Sequence, residues 1–593
     1  MSQPQAEYDR RLSAIAASTA QHRKQDNAFA AAKIIIGLLI VASAVWLAKY
    51  HAAKIFFLLI PVALFIVLAM LHERVLKSLR KDARLQAYYR QGIARIENRW
   101  AGSGETGERF LAPDHPYARD LDIFGPGSLF QLLCTARSSS GEETLAAWLR
   151  AAAPVAEIAA RQQAVRELTP RLGFREQLAL AGEDARAAMH PQQLIAWAEA
   201  AQPVNRVQIR IAAFCLSALW LLSLFAWWKW DWLDAAFVMS LVNFGVSHAM
   251  HRKLNPIVAG VDGAEHDLAL LAAIVSILEK EPVTATKFTQ LLARLARSGA
   301  IASQAIRNLS KRLAWFDSRH NLFVRILDPF LFYTPHCVLA IDTWRKRHGA
   351  AVREWLAVTG EMEALSSFAV YAYEHPADTF PQIVENGPYF EAQEIAHPLL
   401  ARDKSIPNDL KLDRQLQLLV ISGPNMAGKS TFIRSIGINA VLAQAGAPVC
   451  ARRMALSSLQ VTASICILDS LQGGLSRFYA EISRLKQIDE LSQKNTPVLF
   501  LLDELLSGTN SYDRRIGTES FVRSLLARGA IGLVTTHDLA LAEIAERIGL
   551  TAANSHFEDT FEDGKLHFDY KLTPGIVQTT NALLLMRSIG LDV

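Results

Sequence analysis

Residues 423–430 have the types and the spacing of a phosphate-binding loop. Gly423 and Gly428 enclose four residues and precede Lys429 and Ser430, which gives the pattern G-x-x-x-x-G-K-S. Glycines let successive backbone N–H groups face the phosphates, the lysine reaches the β- and γ-phosphates, and the serine hydroxyl ligates Mg²⁺. The loop predicts a nucleoside triphosphate site whose binding residues are Gly423, Pro424, Asn425, Met426, Ala427, Gly428, Lys429, Ser430 and Thr431.

Two carboxylates and one histidine complete the predicted chemistry. The uncharged run PVLFLLDE ends in Asp503 and Glu504, and the next apolar run, IGLVTT, ends just before His537. We predict that Asp503 holds the Mg²⁺ together with Ser430 and that Glu504 polarises the attacking water. We also predict that His537 senses the γ-phosphate, although a lone histidine is more often a surface residue. Glu504, His537 and Lys429 are the predicted catalytic residues.

The elements around these residues predict how they are positioned. An apolar strand, LLVIS, precedes the phosphate loop, a helix is predicted over 431–445, and further strands are predicted over 497–504 and 531–536. Alternating strands and helices are typical of a parallel α/β sheet, whose carboxyl edge collects such residues. The sequence predicts an α/β P-loop ATPase domain over 401–593.

Four apolar segments predict two transmembrane helical hairpins. The first has spans at about 28–48 and 55–71 within an N-terminal domain, 1–84, and the second has spans at about 211–228 and 235–250. These lengths approach the ~20 residues that a bilayer core requires. Tryptophans cluster at the second turn, as at a membrane interface, and basic residues flank both hairpins on their outer sides. The alternative is that these segments are buried core helices.

The positive flanks predict the orientation of the chain. Both hairpins would begin and end in the cytoplasm, which makes the protein a multi-pass protein of the cytoplasmic (inner) membrane with its ATPase domain in the cytoplasm. The net charge of +5 over 593 residues permits nucleic acid or anionic lipid as a partner and establishes neither. The five scattered cysteines fit a reducing compartment.

Residues 85–400, apart from the second hairpin, are predicted to form an all-α region. Segments 265–280 and 288–313 place apolar residues at three- and four-residue intervals. Basic residues between them suit a nucleic-acid surface, but a solvated helix face is the commoner explanation. These residues are Arg294, Arg297, Arg307, Lys311, Arg312, Arg345, Lys346 and Arg347.

Several motifs resemble the ATPase domain of the MutS DNA mismatch-repair family, an ABC-type ATPase. They are GPNMAGKST, LLDELLSGTNSYD, TTHD and YKLTPGIVQTTNALLLMRSIGL, with SIPNDLKL upstream and SRFYAEI at 476–482. A weaker match at 127–150 is similar to the start of the family's helical core and lever. The resemblance covers roughly residues 120–593.

The resemblance implies a homodimer that binds ATP and Mg²⁺ at composite sites and acts on double-stranded DNA. In the family, the signature loop of one subunit closes the site of the other, so Ser476 would contact the γ-phosphate in trans. Ser405 stands where relatives often have an aromatic residue against the adenine, which leaves Ile406 as a poorer substitute. Residues 1–110 hold a predicted hairpin and no Phe-x-Glu motif, so we expect no direct reading of mismatches.

Three hypotheses follow from these patterns. The first is a membrane-anchored MutS-like ATPase coupled to DNA. The second is an ATP-driven scaffold or switch of a complex with other membrane-associated proteins, without DNA binding. The third is an ABC-type transporter, which the small number of spans and their few polar residues disfavour.

Overall fold

The computed structural model describes residues 2–50, 56–181, 191–200, 206–261, 264–297, 299–424, 427–465, 477–506, 508–538, 542–562 and 565–577. Its helices are α1 (Gln3–Tyr50), α2 (Phe56–Ile96), α3 (Leu129–Leu133), α4 (Ser139–Arg150), α5 (Val155–Leu168), α6 (Leu172–Leu180), α7 (Pro191–Glu199), α8 (Arg206–Trp230), α9 (Leu233–Val258), α10 (Glu265–Lys280), α11 (Thr286–Ala296), α12 (Ala302–Asp317), α13 (Leu322–Leu331), α14 (Tyr333–Glu374), α15 (Lys429–Ala445), α16 (Arg477–Ser492), α17 (Ser511–Ala527) and α18 (Ile544–Ile548).

The strands lie in the C-terminal part of the chain, from residue 382 onward. They are β1 (Gln382–Val384), β2 (Phe390–Ile395), β3 (Asn408–Leu412), β4 (Leu418–Ser422), β5 (Arg453–Ser457), β6 (Gln460–Ser464), β7 (Val498–Asp503), β8 (Ile531–Thr536), β9 (Ala552–His556), β10 (Asp559–Glu562), β11 (Lys565–Phe568) and β12 (Thr573–Pro574). The chain therefore changes from helices to an α/β region, as its sequence pattern predicts.

One compact unit comprises residues 1–100 and 175–180. Within it, α1 and α2 pair in antiparallel fashion, since Arg11 contacts Tyr89, His22 contacts Asp82 and Asp26 contacts His72. Both helices extend well beyond the predicted spans. These polar pairs lie between the two helices, outside the predicted spans. Within the spans, apolar side chains such as Ile34 and Ile60 are exposed.

The other unit begins with the helical region, where α14 is the central element. This helix has 42 residues and packs against α4, α5, α7, α9 and α12. Glu363 of α14 accepts hydrogen bonds from the backbone N–H groups of Arg137 and Ser138 and from the Ser138 hydroxyl, at the N-terminus of α4. A side chain of α14 thus supplements the N-cap of a neighbouring helix.

Two sequence expectations change in this region. The predicted amphipathic segment 288–313 is divided into α11 and α12, with Gly299 in the left-handed conformation between them (φ 65°). Residues 382–395, before the predicted boundary at 401, supply two strands of a four-stranded sheet, the small sheet, with the order β1-β5-β2-β3.

The main sheet has six strands in the order β12-β9-β4-β8-β7-β6. All neighbours are parallel except β12 and β9. Strands β4 and β8 are fully buried, and Phe500 and Leu502 of β7 belong to the apolar core beside them. The parallel register places the carboxyl ends of β4, β7 and β8 at one edge of the sheet.

Four described helices are long and apolar enough to cross a membrane by their length and composition. They cover Gln3–Leu47, Leu58–Ile96, Val207–Trp230 and Leu233–Val258, and the four predicted spans fall within or overlap them.

Candidate functional site

The phosphate loop connects β4 to α15 at the carboxyl edge of the main sheet. Gly423 has a φ of 147° and Gly428, the N-cap of α15, has a φ of 97°. A Cβ atom on Gly423 would lie 2.7 Å from the carbonyl oxygen of Phe557, so glycine also permits a close backbone approach there. Asn425 and Met426, which we assigned to the phosphates, lie outside the described residues.

Lys429 stands at the first position of α15 with its ammonium group inside the loop. Its Nζ donates to the carbonyl oxygens of Gly423 and Pro424, each at 2.8 Å. Burial lowers the pKa of Lys429, whereas the charges of Glu504 and Asp503 act to raise it. The lysine is therefore desolvated and adjacent to both carboxylates, the setting in which a fixed cation interacts strongly with phosphate.

Asp503 and Glu504 follow one another at the end of β7. The Thr535 hydroxyl of the neighbouring strand donates to Asp503 Oδ1, which orients that carboxylate. The chain then leaves the strand with Glu504 in the left-handed conformation (φ 48°). Glu504 Oε1 lies 3.1 Å from Nδ1 of His537, so the structure brings the predicted water-activating residue and the predicted phosphate sensor together.

Two side chains that the sequence analysis did not identify hold the turn after Glu504. Glu481 of α16 accepts a hydrogen bond from the backbone N–H of Leu506, and Arg514 Nε of α17 donates to the carbonyl oxygen of Leu505 at 2.8 Å. Both side chains are buried. Because Glu481 belongs to SRFYAEI, this motif is joined directly to the carboxylate turn.

A pocket of about 650 Å³ opens beside the phosphate loop. Lys429, Ser430 and Glu504 line one part of it, and Ile406 and Tyr570 line another. Tyr570 was not predicted as a site residue, although the motif that begins with it was noted. Its ring lies so close to Gly428 that a Cβ there would be 3.0 Å from Tyr570 Cδ1.

The segment that carries Tyr570 is fixed to the segment before β3. Asn408 Nδ2 donates to the carbonyl oxygen of Tyr570 at 3.0 Å, and Asn408 Oδ1 accepts from the N–H of Leu572 at 2.8 Å. Ser405 also lines the pocket, and its hydroxyl accepts from the N–H of His397 at 3.2 Å. The aromatic surface that position 405 lacks is therefore supplied by Tyr570, from a remote part of the sequence.

These residues fit a nucleoside triphosphate with Mg²⁺. A buried lysine and an αL glycine turn at a helix N-terminus suit phosphate oxygens, and a serine hydroxyl with an aspartate are hard oxygen ligands of the kind that Mg²⁺ prefers. The aromatic ring of Tyr570 and the aliphatic side chain of Ile406 in the lining suit a planar base. Thr431 also lines the pocket, next to Ser430.

The remaining predicted residues have mixed outcomes. Ser476, assigned to the partner's γ-phosphate, lies outside the described residues. Three of the basic residues proposed for nucleic acid have intramolecular partners: Arg294 pairs with Glu354 and Glu361, Arg312 donates to the carbonyl of Ala340, and Arg345 pairs with Asp342 while buried. The other five have exposed side chains: Arg297, Arg307, Lys311, Lys346 and Arg347.

Comparisons with known proteins match the C-terminal part of the chain. The family profile of MutS domain V matches residues 419–591. The DNA mismatch repair protein MutS of Brevibacillus brevis is 35% identical over 222 residues, which are 36% of this chain and 25% of that protein. The corresponding protein of Methanosarcina mazei is 31% identical over 251 residues, or 41% of this chain and 27% of that protein.

A second type of relative matches a similar length. Endonuclease MutS2 of Thermus thermophilus is 32% identical over 207 residues, which are 35% of this chain and 27% of that protein. The matched part spans about a quarter of the length of these relatives. The C-terminal region of the chain is thus similar to the MutS family, with the profile match confined to residues 419–591.

Proposed function

We propose that this protein is a membrane-anchored ATPase that hydrolyses ATP with Mg²⁺ at composite sites in a homodimer. The observation that carries the proposal is the convergence of Lys429, Asp503 and the Glu504–His537 pair at one edge of the main sheet, beside the pocket. Bound Mg²⁺-ATP would supply the γ-phosphoryl group and the metal charge that stabilises phosphoryl transfer.

The chain's own residues then have separate roles. Lys429 binds the β- and γ-phosphates, and Ser430 with Asp503 would hold the Mg²⁺. Glu504 orients and polarises the attacking water through its carboxylate. His537 holds that carboxylate and would register the γ-phosphate beside it. Glu481 and Arg514 keep the Glu504 turn in its strained conformation.

The dimer proposal is supported by exposed apolar side chains beside the catalytic turn. Tyr479 and Ile482 of α16 and Tyr512 and Ile516 of α17 are all exposed. The two helices flank the turn, because Phe478 lies against Gly508 just before α17. Apolar and aromatic groups of this kind are typical of the core of a protein interface. They surround the place where a partner subunit's signature loop would enter.

Membrane anchoring is supported by the way polarity changes along the first hairpin. Asp26 and His72 pair at 2.6 Å immediately outside the predicted spans 28–48 and 55–71. Beyond that pair, Ile34, Leu38 and Ile60 are more than half exposed. Apolar side chains exposed along both predicted spans suit hydrocarbon rather than water. With basic flanks retained in the cytoplasm, the ATPase domain would face ATP.

We propose double-stranded DNA as the ligand of the helical region, because the relatives include DNA mismatch repair proteins. The five exposed basic residues named above would supply its phosphate contacts. A protein scaffold without DNA binding is the second candidate. It is favoured by the observation that Arg294, Arg312 and Arg345 are engaged within the chain.

The test of the ATPase proposal is Mg²⁺-ATP binding and hydrolysis by the full-length protein in lipid vesicles. Lys429→Ala should abolish nucleotide binding, because it removes the buried cation of the phosphate loop. Lys486→Ala is the matched control, since that side chain is exposed on α16 and should leave binding unchanged. Equal ATP binding by the Lys429→Ala variant and the parent protein would refute the proposed site.

DNA binding separates the two candidate ligands. The detergent-solubilised protein should bind duplex DNA with an affinity that falls steeply as salt rises, because lysine and arginine contacts release counterions. Replacing Arg307 and Lys311 together with alanine should weaken binding and flatten the salt dependence. Undetectable or salt-insensitive binding would favour the scaffold, to be tested by ATP-dependent capture of membrane proteins with the Glu504→Ala variant.

A further inference from the structure

Helix α13 (Leu322–Leu331) carries an exposed apolar face that the ATPase does not use. Leu322, Phe323, Ile326 and Leu327 are exposed, Phe323 to 77%. At ~100° per residue they lie within one sector of the helix, and the other sector packs on α8 and α9. Trp315, in the last turn of α12, is also exposed nearby.

The carboxyl end of α13 is docked against the middle of the second hairpin. The ring of Phe330 stacks on Trp220 of α8, with 4.9 Å between ring centroids and 12° between planes. Asn243 Nδ2 of α9 donates to the carbonyl oxygens of Phe330 at 3.2 Å and of Leu216 at 3.3 Å. The fully buried Asn243 thus satisfies a carbonyl group at the end of α13, where no helical partner follows.

The position of this contact gives the depth of α13. Trp220 lies ten residues before the end of α8 at Trp230, and Asn243 lies ten residues after the start of α9 at Leu233. At a rise of ~1.5 Å per residue, both lie about 15 Å from the turn, which is half of a ~30 Å hydrocarbon core. If the hairpin spans a bilayer, the end of α13 is inside it.

The chain turns by nearly a right angle at that depth. Phe332, in the left-handed conformation (φ 51°), separates α13 from α14, and the two helices are bent by 83°. Asp328 Oδ1 accepts from the N–H of Thr334 at 2.7 Å, and Asp328 Oδ2 accepts from the Thr334 hydroxyl at 2.9 Å and lies 3.2 Å from His251 Nε2. The carboxylate of the bend is therefore satisfied within the protein, as hydrocarbon requires.

Basic residues lie at the end of the second hairpin that is opposite to its turn. Arg210 lies near the start of α8, and Arg252 and Lys253 follow the predicted span of α9. Arg319 precedes α13, and Arg325 lies within it. Long cationic side chains at this level can extend toward anionic lipid headgroups while their stems stay in the apolar layer. The patch thus combines a continuous apolar surface with a basic rim.

We propose that α13 is a re-entrant helix inserted into the cytoplasmic leaflet beside the second hairpin. Its apolar face contacts lipid chains, and α14 starts from the bend and leads to the nucleotide region. This inference rests on the proposed membrane anchoring. The occupant of the exposed face is lipid, because α13 packs on α8 and α9, whose Phe214, Phe237 and Phe244 are similarly exposed.

Photo-crosslinking of the full-length protein tests this assignment. The probe is p-benzoyl-phenylalanine, placed in separate variants at Phe323, Phe237 or Leu550. The protein is reconstituted in phosphatidylcholine–phosphatidylglycerol vesicles that carry a radiolabelled acyl chain. Phe323 reports on α13, Phe237 reports on the outward face of α9, and the fully exposed Leu550 is the control in the ATPase region.

The inference predicts lipid adducts at positions 323 and 237 and none at 550. Labelling at 237 without labelling at 323, or a crosslink from 323 to protein, would overturn the re-entrant helix and leave the membrane anchor intact. Absence of lipid adducts at both positions would reject membrane insertion of the second hairpin, and the inference with it. Adducts at 323 alone would show a surface-bound helix beside a hairpin that does not span, which also contradicts the inference.

Discussion

Tyr570 is the residue on which we expect the nucleotide base to stack. Its ring lies against Gly428 in the pocket, and Ile406 is also in the lining. Tyr570→Ala should weaken ATP binding by about 1–3 kcal/mol, or roughly 5- to 150-fold, the range found for base stacking on aromatic side chains. Isothermal titration with Mg²⁺-ATP measures this loss.

The matched control is Tyr570→Phe, which keeps the ring and should retain the parent affinity. If the alanine and phenylalanine variants bind equally well, stacking is not the role of this residue. If both lose affinity equally, the hydroxyl matters rather than the ring.

For single residues, the sequence pattern within a few positions predicted the site residues that follow the ends of strands. Lys429, Asp503 and Glu504 each stand next to an apolar run, so their chemistry is visible within a few residues of sequence. Tyr570 and Glu481 gave no such signal, because their partners are remote: Asn408 is 162 positions from Tyr570, and Leu506 is 25 positions from Glu481. Only the folded chain brings these groups together.

The contact between α4 and α14 through Glu363 should respond to pH. Burial raises the pKa of Glu363 from an ordinary 4.5 to about 7, although hydrogen bonds from Ser138 and Arg137 act in the opposite direction. The folded state therefore holds this proton at a pH where the unfolded chain has released it. Because the folded state binds more protons in that window, stability should fall as pH rises from about 4.5 to about 7.

Glu363→Gln should remove part of this decline. Thermal unfolding of the detergent-solubilised parent should show a lower Tm at the upper end of the window than at the lower end. The glutamine variant should show a smaller difference. Glu490→Gln, exposed on α16, is the control and should follow the parent. An unchanged pH dependence in the Glu363→Gln variant would contradict the assignment of the proton to this site.

Strands that are short, uncharged runs of sequence were predicted well. The strands expected over 497–504 and 531–536 are β7 and β8, because each is an uncharged run between polar turns. The division of 288–313 and the bend at Phe332 were not predicted. Helical periodicity continues across both, and only a left-handed residue, Gly299 or Phe332, redirects the chain.

At the scale of the whole molecule, the proposal joins an ATPase region of MutS type to helices that suit a membrane. The composition indicated the membrane helices, since 51% of the residues are hydrophobic and the long apolar segments are concentrated in four stretches. The distribution of buried and exposed side chains distinguishes the two regions. Core residues of the main sheet are fully buried, whereas the apolar residues of the hairpins face outward.

The composite dimer predicts complementation between two inactive variants. Lys429→Ala disables the phosphate loop of its own subunit, and Ser476→Ala disables the site of the partner subunit. Each variant alone should hydrolyse little ATP. Mixing them before assembly should restore turnover, because each mixed dimer contains one site with an intact loop and an intact signature serine.

Phosphate release measures this complementation. Mixed samples that remain as inactive as the separate variants would argue against sites shared between subunits. Activity of Ser476→Ala alone at the parent rate would show that this serine is not needed. Mixing either variant with itself controls for the effects of reassembly.

The most direct test of the central claim is ATP turnover by the Glu504→Gln variant of the full-length protein in vesicles. Glutamine keeps the shape of the side chain but cannot accept a proton from the attacking water. We predict that the variant binds Mg²⁺-ATP as tightly as the parent, loses turnover by about 10²- to 10⁴-fold and accumulates as an ATP-bound dimer. Hydrolysis at the parent rate would contradict the account of this site.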